Sequence, residues 1–183
     1  ICKIENNEIE IPVMGEVFVY NALAAYAVGK LFSLTPEEIK NGITSFQMSN
    51  NRMNTIKTAK FTIINDTYNA NPDSVKSAIK TLGTFKNRKV AILGDMLELG
   101  ENEIKYHQEI GEFCNEKIDV LITIGVLSKN MFDKFTKEKY YFKTNEEAET
   151  KLKDILKQDD VILVKASHSM KLDTIVNFLK ENQ

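Results

Sequence analysis

From residue 61 onward one pattern recurs: a short, continuous apolar run rich in β-branched residues, followed by a segment of helical period. The runs are Phe61–Ile64, Val90–Leu93, Val120–Ile124, Tyr140–Phe142 and Val161–Val164, and the helical segments fall near 73–83, 104–116, 127–135, 146–157 and 170–181. A strand that is apolar on consecutive residues has no solvent face, so both of its sides must be covered. Helices placed between parallel strands supply that cover. The pattern therefore predicts an α/β domain, doubly wound around a mainly parallel, Rossmann-like sheet.

The first fifty residues read differently. Ile4, Ile9, Ile11 and Val13 alternate with polar residues and predict the buried face of a hairpin that turns at Asn6-Asn7. Within 20–32, Leu23, Ala24, Ala27, Val28 and Leu31 recur at helical spacing. Thr35, Pro36 and Glu38 form a start signal for a second helix, which ends near Phe46. The polar stretch Gln47-Met48-Ser49-Asn50-Asn51 marks a hinge, which predicts two parts, 1–50 and 51–183. The opening Ile1-Cys2-Lys3-Ile4-Glu5 has no initiator Met and no signal-like region, and reads as the start of a piece of a longer chain.

Composition narrows the function. The 24 Lys and Arg against 26 Asp and Glu give a net charge of −2, without the broad positive field that holds a nucleic-acid backbone. No apolar run approaches the roughly 20 residues that span a bilayer. Two cysteines, Cys2 and Cys114, do not make a disulfide framework and suit a reducing, cytoplasmic setting. No Gly-x-Gly-x-x-Gly follows the first strand, and no P-loop or Gly-x-Ser-x-Gly elbow occurs. With two histidines and two distant cysteines, a His/Cys zinc site is not expected. A phosphoacceptor receiver domain would need an Asp ending the third strand, where the chain has Ile124-Gly125.

In an open parallel sheet, ligands bind beyond the carboxyl ends of the strands, where helix N-termini and free backbone N–H groups converge. The segments at those ends are Asn65 to Ser74, Gly94 to Gly100, Gly125, and Lys165 to Ser169. Polar and acidic side chains gather there. Asn71 reads as a turn residue before Pro72, and Asp73 or Ser74 as the cap of the following helix, whereas Asp66, Tyr68 and Asn69 are not explained by capping and predict a ligand site. Asp95, Glu98, Lys165 and His168 are further candidates, whereas His107 reads as a structural or exposed helix residue.

Several strings resemble Mur ligases, specifically of the MurF type. They are Asn21-Ala22-Leu23-Ala24-Ala25, Asn51-Arg52-Met53, Asn65-Asp66-Thr67-Tyr68-Asn69-Ala70-Asn71-Pro72-Asp73-Ser74, Leu93-Gly94-Asp95-Met96-Leu97-Glu98-Leu99-Gly100 with His107 and Gly111, and Val164-Lys165-Ala166-Ser167. The resemblance implies an ATP- and Mg²⁺-dependent ligase that joins D-alanyl-D-alanine to UDP-N-acetylmuramoyl-tripeptide in peptidoglycan synthesis, through an acyl phosphate. On that plan residues 1–50 end the central ATP-binding domain and 51–183 form the C-terminal domain, with the P-loop region and N-terminal domain lying upstream. The isolated piece would then be inactive. The resemblance further implies that Asn21 contacts adenine, Arg52 reaches the nucleotide phosphates and Asp66 engages the nucleotide. Tyr68, Asn69, Asn71, Asp95, Lys165, Ser167 and His168 would form the amino-substrate side. It assigns no catalytic residue and no metal ligand to this piece.

Two departures accompany the resemblance. Gly15-Glu16-Val17-Phe18-Val19 stands where the family has Gly-x-His-Asn-Val, and Lys165-Ala166-Ser167-His168 where it has Lys-Gly-Ser-Arg. A His replaces an Arg that is always charged and offers a planar fork of donors, which weakens anion binding. Val17 and His168 favour the alternative of a non-catalytic α/β binding module. A related Mur or folylpolyglutamate-type ligase with another amino substrate is the other alternative.

Overall fold

The computed structural model describes residues 1–5, 7–48 and 51–182. The chain falls into two compact units, Ile1–Ser49 and Asn50–Gln183. Asn6 of the expected hairpin turn, and Ser49 and Asn50 of the expected hinge, lie outside the described residues.

In the first unit β1 (Cys2–Ile4) pairs antiparallel with β2 (Asn7–Ile9), and α1 (Val17–Leu31) and α2 (Pro36–Thr44) follow. The start of α2 is the predicted capping box: Thr35 Oγ1 accepts from the Glu38 N–H, and the Glu38 carboxylate accepts from the Thr35 N–H. α1 departs from expectation. Its buried stripe is Ala22, Tyr26 and Gly29, while Leu23, Ala24, Ala27, Val28 and Leu31 are exposed. The cause is the close approach of α2: a Cβ on Gly29 would meet Ile39 Cγ1 at 2.7 Å. That contact turns the glycine side of α1 into a small core made by Ile4, Ile9, Ala22, Tyr26, Ile39 and Ile43. Ile11 and Val13, expected beside Ile4 and Ile9, are only half-buried.

The second unit contains β3 (Asn54–Lys57), β4 (Thr62–Asn65), β5 (Lys89–Gly94), β6 (Val120–Ile124), β7 (Glu138–Phe142) and β8 (Val161–Lys165). They form one sheet in the order β3-β4-β8-β5-β6-β7. β4 to β8 are mutually parallel, as the alternation predicts. β3 is an addition: it pairs antiparallel with β4, and its mixed Asn-Thr-Ile-Lys composition left no apolar run to announce it. Among the described residues five α-helices complete the unit: α3 (Pro72–Gly83), α4 (Glu103–Cys114), α5 (Lys129–Lys134), α6 (Asn145–Ile155) and α7 (Asp173–Glu181).

The two-residue strand period sorts the core into two layers. Ile64, Ala91, Leu93, Leu121 and Leu163 pack with residues of α3, α4 and α5. Ile63, Val90, Ile92, Ile122, Ile162 and Val164 pack with residues of α6 and α7 on the other face. At the N-terminal ends of the strands, buried Asp160 pairs with Arg88 at 2.9 Å, and Arg88 also holds Glu138 at 3.0 Å. Among the described residues no helix is long and apolar enough to cross a membrane.

Cys114 is fully buried in the α3–α5 layer, and burial pushes its thiol up to about 12. Cys2 is half-exposed. A thiol reagent at neutral pH is therefore expected to label one cysteine per native chain and two after unfolding. Rapid labelling of both in the native chain would mean that this layer is not closed.

Candidate functional site

The connections out of the strands create the site. β4 and β5 lead to α3 and α4 on one face, whereas β8, which lies between them, leads to α7 on the other. Backbone therefore diverges around the carboxyl end of β8 and leaves a crevice there. Asp66 follows β4, Lys165 ends β8, and Asp95 follows β5. By alternation from Ile64 and Leu163, Asp66 and Lys165 project from the same face.

Those two side chains form an ion pair at 2.7 Å, and Lys165 is only 2% exposed. Lys165 Nζ also donates to the Asn69 carbonyl at 2.7 Å. Its third N–H has no acceptor among the described residues. Burial pushes the Lys165 amine below the usual lysine range, Asp66 lifts it part of the way back, and the positive charge of Arg52 lowers it. The other Asp66 oxygen accepts from the Met53 N–H at 3.1 Å.

Residues 51–53 are clamped to the end of β4. The Asn51 carbonyl accepts from the Tyr68 N–H at 3.0 Å, and its side-chain oxygen accepts from Asn65 Nδ2 at 3.3 Å. Met53 is left-handed, with φ 44°. Between these anchors the Arg52 guanidinium carbon lies 3.8 Å from the centre of the Tyr68 ring. Among the described residues, Arg52 makes no hydrogen bond or ion pair. Tyr68 is 47% exposed, and the exposed His168 places its ring 6.0 Å from it.

The next loop is braced rather than open. Asp95 accepts from the N–H groups of Val126, at 3.1 Å, and Ser128, at 2.7 Å. Gly125, with φ 120°, makes room for that carboxylate, since a Cβ there would overlap it. Ser167 Oγ accepts from the Leu97 N–H at 2.8 Å, and the Ser167 N–H donates to the Asp95 carbonyl. Leu97 leads into a left-handed Glu98, φ 62°. His107 is buried, with Nδ1 donating to the Glu103 carbonyl and Nε2 accepting from the Met96 N–H. It is structural, as one of the sequence readings held.

Of the expected site residues, Arg52, Asp66, Tyr68, Asn69, Lys165 and His168 come together around the β4 and β8 ends. Asp95 and Ser167 lie beside them with polar atoms engaged by backbone. Asn71 is the N-cap of α3, in a box with Ser74 and with Pro72 in the first turn; the cap is thus Asn71 itself, not Asp73 or Ser74. Asn21 is an exposed residue of α1 in the other unit. Sequence reasoning missed Asn51, whose two clamps have no signal beyond the Asn-Arg-Met string, and Thr67. The Thr67 N–H and hydroxyl both donate to Asn65 Oδ1 and fix the turn after β4.

At the switch point of this doubly wound α/β domain, two cations and one carboxylate leave an excess of positive charge, a setting suited to anionic groups. The chain belongs to the Mur ligase family: residues 51–168 match the family model described as Mur ligase, glutamate ligase domain. It is 37% identical to the UDP-N-acetylmuramoyl-tripeptide–D-alanyl-D-alanine ligase of Bacillus subtilis (strain 168), over 96% of this chain and 40% of that protein. The crystal structure of MurF from Acinetobacter baumannii matches 95% of this chain and 39% of its own, with TM-score 0.87 and 30% identity. MurF from Thermotoga maritima in complex with ADP shares the fold, with TM-score 0.81 and 24% identity over 92% of this chain and 39% of that one. The chain thus spans about 40% of the length of these relatives.

Proposed function

We propose that this chain is the C-terminal portion of an ATP-dependent amide ligase that adds D-alanyl-D-alanine to UDP-N-acetylmuramoyl-tripeptide in peptidoglycan synthesis. Residues 1–50 are then the end of its central ATP-binding domain, and 51–183 its C-terminal domain. The single observation that carries this reading is the pairing of an unengaged Arg52 guanidinium with a buried Lys165 amine against one carboxylate, Asp66, at the switch point of the sheet. Such an excess of fixed positive charge suits phosphate groups. The names of the B. subtilis relative and of the ADP complex from T. maritima support the substrate and the nucleotide.

The chemistry explains the need for that charge. A carboxylate is a poor acyl donor, and phosphorylation by ATP gives it a leaving group that an amine displaces. Arg52 and Lys165 hold the phosphates, while Asp66 keeps Lys165 charged and fixes Met53 beside it. Asn21 is assigned to the adenine by its motif. Asn69 Nδ2, whose partner oxygen already accepts from the Ala70 N–H, His168 and the free proton of the Ser167 hydroxyl are the groups left to meet the amino substrate. Asn71 and Asp95 serve it indirectly, by holding the loops. Among the described residues no cluster of three or more His, Cys, Asp or Glu side chains fits a metal ion. Mg²⁺ is assigned, with the nucleotide, mainly to the upstream P-loop region that the family plan implies.

The exposed side of the first unit supports the domain reading. Leu31 is 82% and Phe32 76% exposed, and Tyr20, Leu23 and Val28 are exposed as well. An apolar surface of this kind is a covered surface in a larger body, here the remainder of the central domain.

The test is an assay of ADP release that depends on both the tripeptide substrate and D-alanyl-D-alanine. The 183-residue chain by itself is expected to release none. In the protein carrying its upstream region, Arg52→Ala is expected to lower turnover about 100-fold, the usual effect of removing one fixed donor to developing charge. Turnover by the 183-residue chain, or an unimpaired Arg52→Ala enzyme, overturns the assignment.

A further inference from the structure

We propose that Tyr68 is a positioning residue for Arg52, holding the guanidinium by its face so that its N–H edge is presented to an anion. This rests on the anion reading of the site and reassigns Tyr68, which the family resemblance placed against the amino substrate.

Four observations carry it. First, the Arg52 guanidinium carbon is 3.8 Å from the Tyr68 ring centre, which is van der Waals contact with the ring face. A guanidinium seated on a ring is held through its π surface, and its five N–H donors lie in its own plane. Among the described residues, those donors meet no acceptor.

Second, backbone and ring are fixed to each other. The Tyr68 N–H donates to the carbonyl of Asn51, the residue before Arg52, and the Met53 N–H, the residue after it, donates to Asp66. Asn65 Nδ2 adds a third tie to the Asn51 side chain. The Arg52 backbone is thus held on both sides, and the side chain alone retains freedom. A long, exposed side chain loses much rotamer entropy when it closes on a ligand, and a ring that already confines it reduces that loss.

Third, the site opposes the arrangement electrostatically. Arg52 is close enough to Lys165 to lower its amine, so the two cations repel. Without a favourable contact on its own side, the guanidinium would swing towards solvent and away from the second cation. Fourth, the His168 ring, tilted 48° and 6.0 Å from Tyr68, flanks the platform on another side.

Inorganic tripolyphosphate titrated into the chain is the test, read by calorimetry and by the amide NMR signals of Met53 and Asn69. Tyr68→Leu is expected to weaken binding about two- to fivefold, the range of an exposed cation–π contact. Tyr68→Phe, which keeps the ring, is expected to stay within about twofold. In an Arg52→Ala background, Tyr68→Leu should change nothing further, since a residue acting through another has no effect once that partner is gone. The Arg52 Hε resonance should also carry a ring-current shift that Tyr68→Leu removes and Tyr68→Phe retains. Equal weakening by Tyr68→Leu with and without Arg52, or a Tyr68→Phe chain as weak as Tyr68→Leu, overturns the positioning role alone. Failure of the native chain to bind tripolyphosphate overturns the anion reading and the positioning role with it.

Discussion

Asp66→Ala is expected to destabilise the chain by about 3–5 kcal/mol at pH 7, as removal of one partner from a buried ion pair does. Lys165, 2% exposed, would lose the only carboxylate it meets among the described residues, and Met53 N–H would lose its acceptor. The effect should depend on pH in a definite direction. Burial already lowers the Lys165 amine, and without the opposing pull of Asp66 it falls further. Between that lowered folded value and the ordinary unfolded value, the folded chain binds fewer protons than the unfolded one, so stability rises with pH across the window. The urea midpoint of Asp66→Ala should therefore move towards that of the native chain as pH is raised from 7 to about 10, near the free lysine value. A gap that stays constant would mean that Lys165 is not the source of the loss. The paired replacement Asp66→Asn with Lys165→Met should be milder than Asp66→Ala, because it leaves no unpaired charge.

Gly125→Ala is expected to cost roughly 3–5 kcal/mol, the sum of a backbone forced into a glycine-only region and of buried N–H groups left without acceptors. Its φ is 120°, and the new Cβ would overlap the Asp95 carboxylate. Asp95 would have to release Val126 and Ser128, and with them the start of α5. The thermal midpoint should fall by about 10 °C. Gly100→Ala is the comparison: φ is 64°, but nothing lies within 4 Å of the new Cβ, so about 1 kcal/mol is expected from left-handed strain alone. Equal shifts in the two variants would show that the Asp95 contact has no weight.

How far the sequence could be read depended on whether a residue's neighbours were close in the chain. Thr35-Pro36-Glu37-Glu38 announced its helix because a capping box closes within four residues. The five parallel strands were legible because burial on both faces leaves uninterrupted apolar runs. β3 was not, since an edge strand with half-buried residues needs no such run. α1 misled in the opposite way. Its residues are apolar all round, so periodicity picked the stripe with Leu23, Val28 and Leu31, whereas the packing of Ile39 against Gly29 selected another.

The candidate site divides along the same line. That polar residues after β4, β5 and β8 would lie on one rim followed from the sequence alone, because a parallel sheet puts every carboxyl strand end on the same side. Which of them are available to a ligand did not. Asp66 and Asp95 are both acids directly after a strand, yet one meets a buried lysine and the other closes on two backbone amides of a different loop. Strand order decides this: β8, last in sequence, inserts between β4 and β5, bringing Lys165 to Asp66 and Ser167 to Leu97 across separations of 99 and 70 residues. The sequence by itself determined the two-layer cover, the direction of the strands and the rim where chemistry is possible, all consequences of local period and chirality. Only the tertiary structure decided which charges are paired, which are spent on loops and which face outward, because those depend on contacts between segments that no local pattern links.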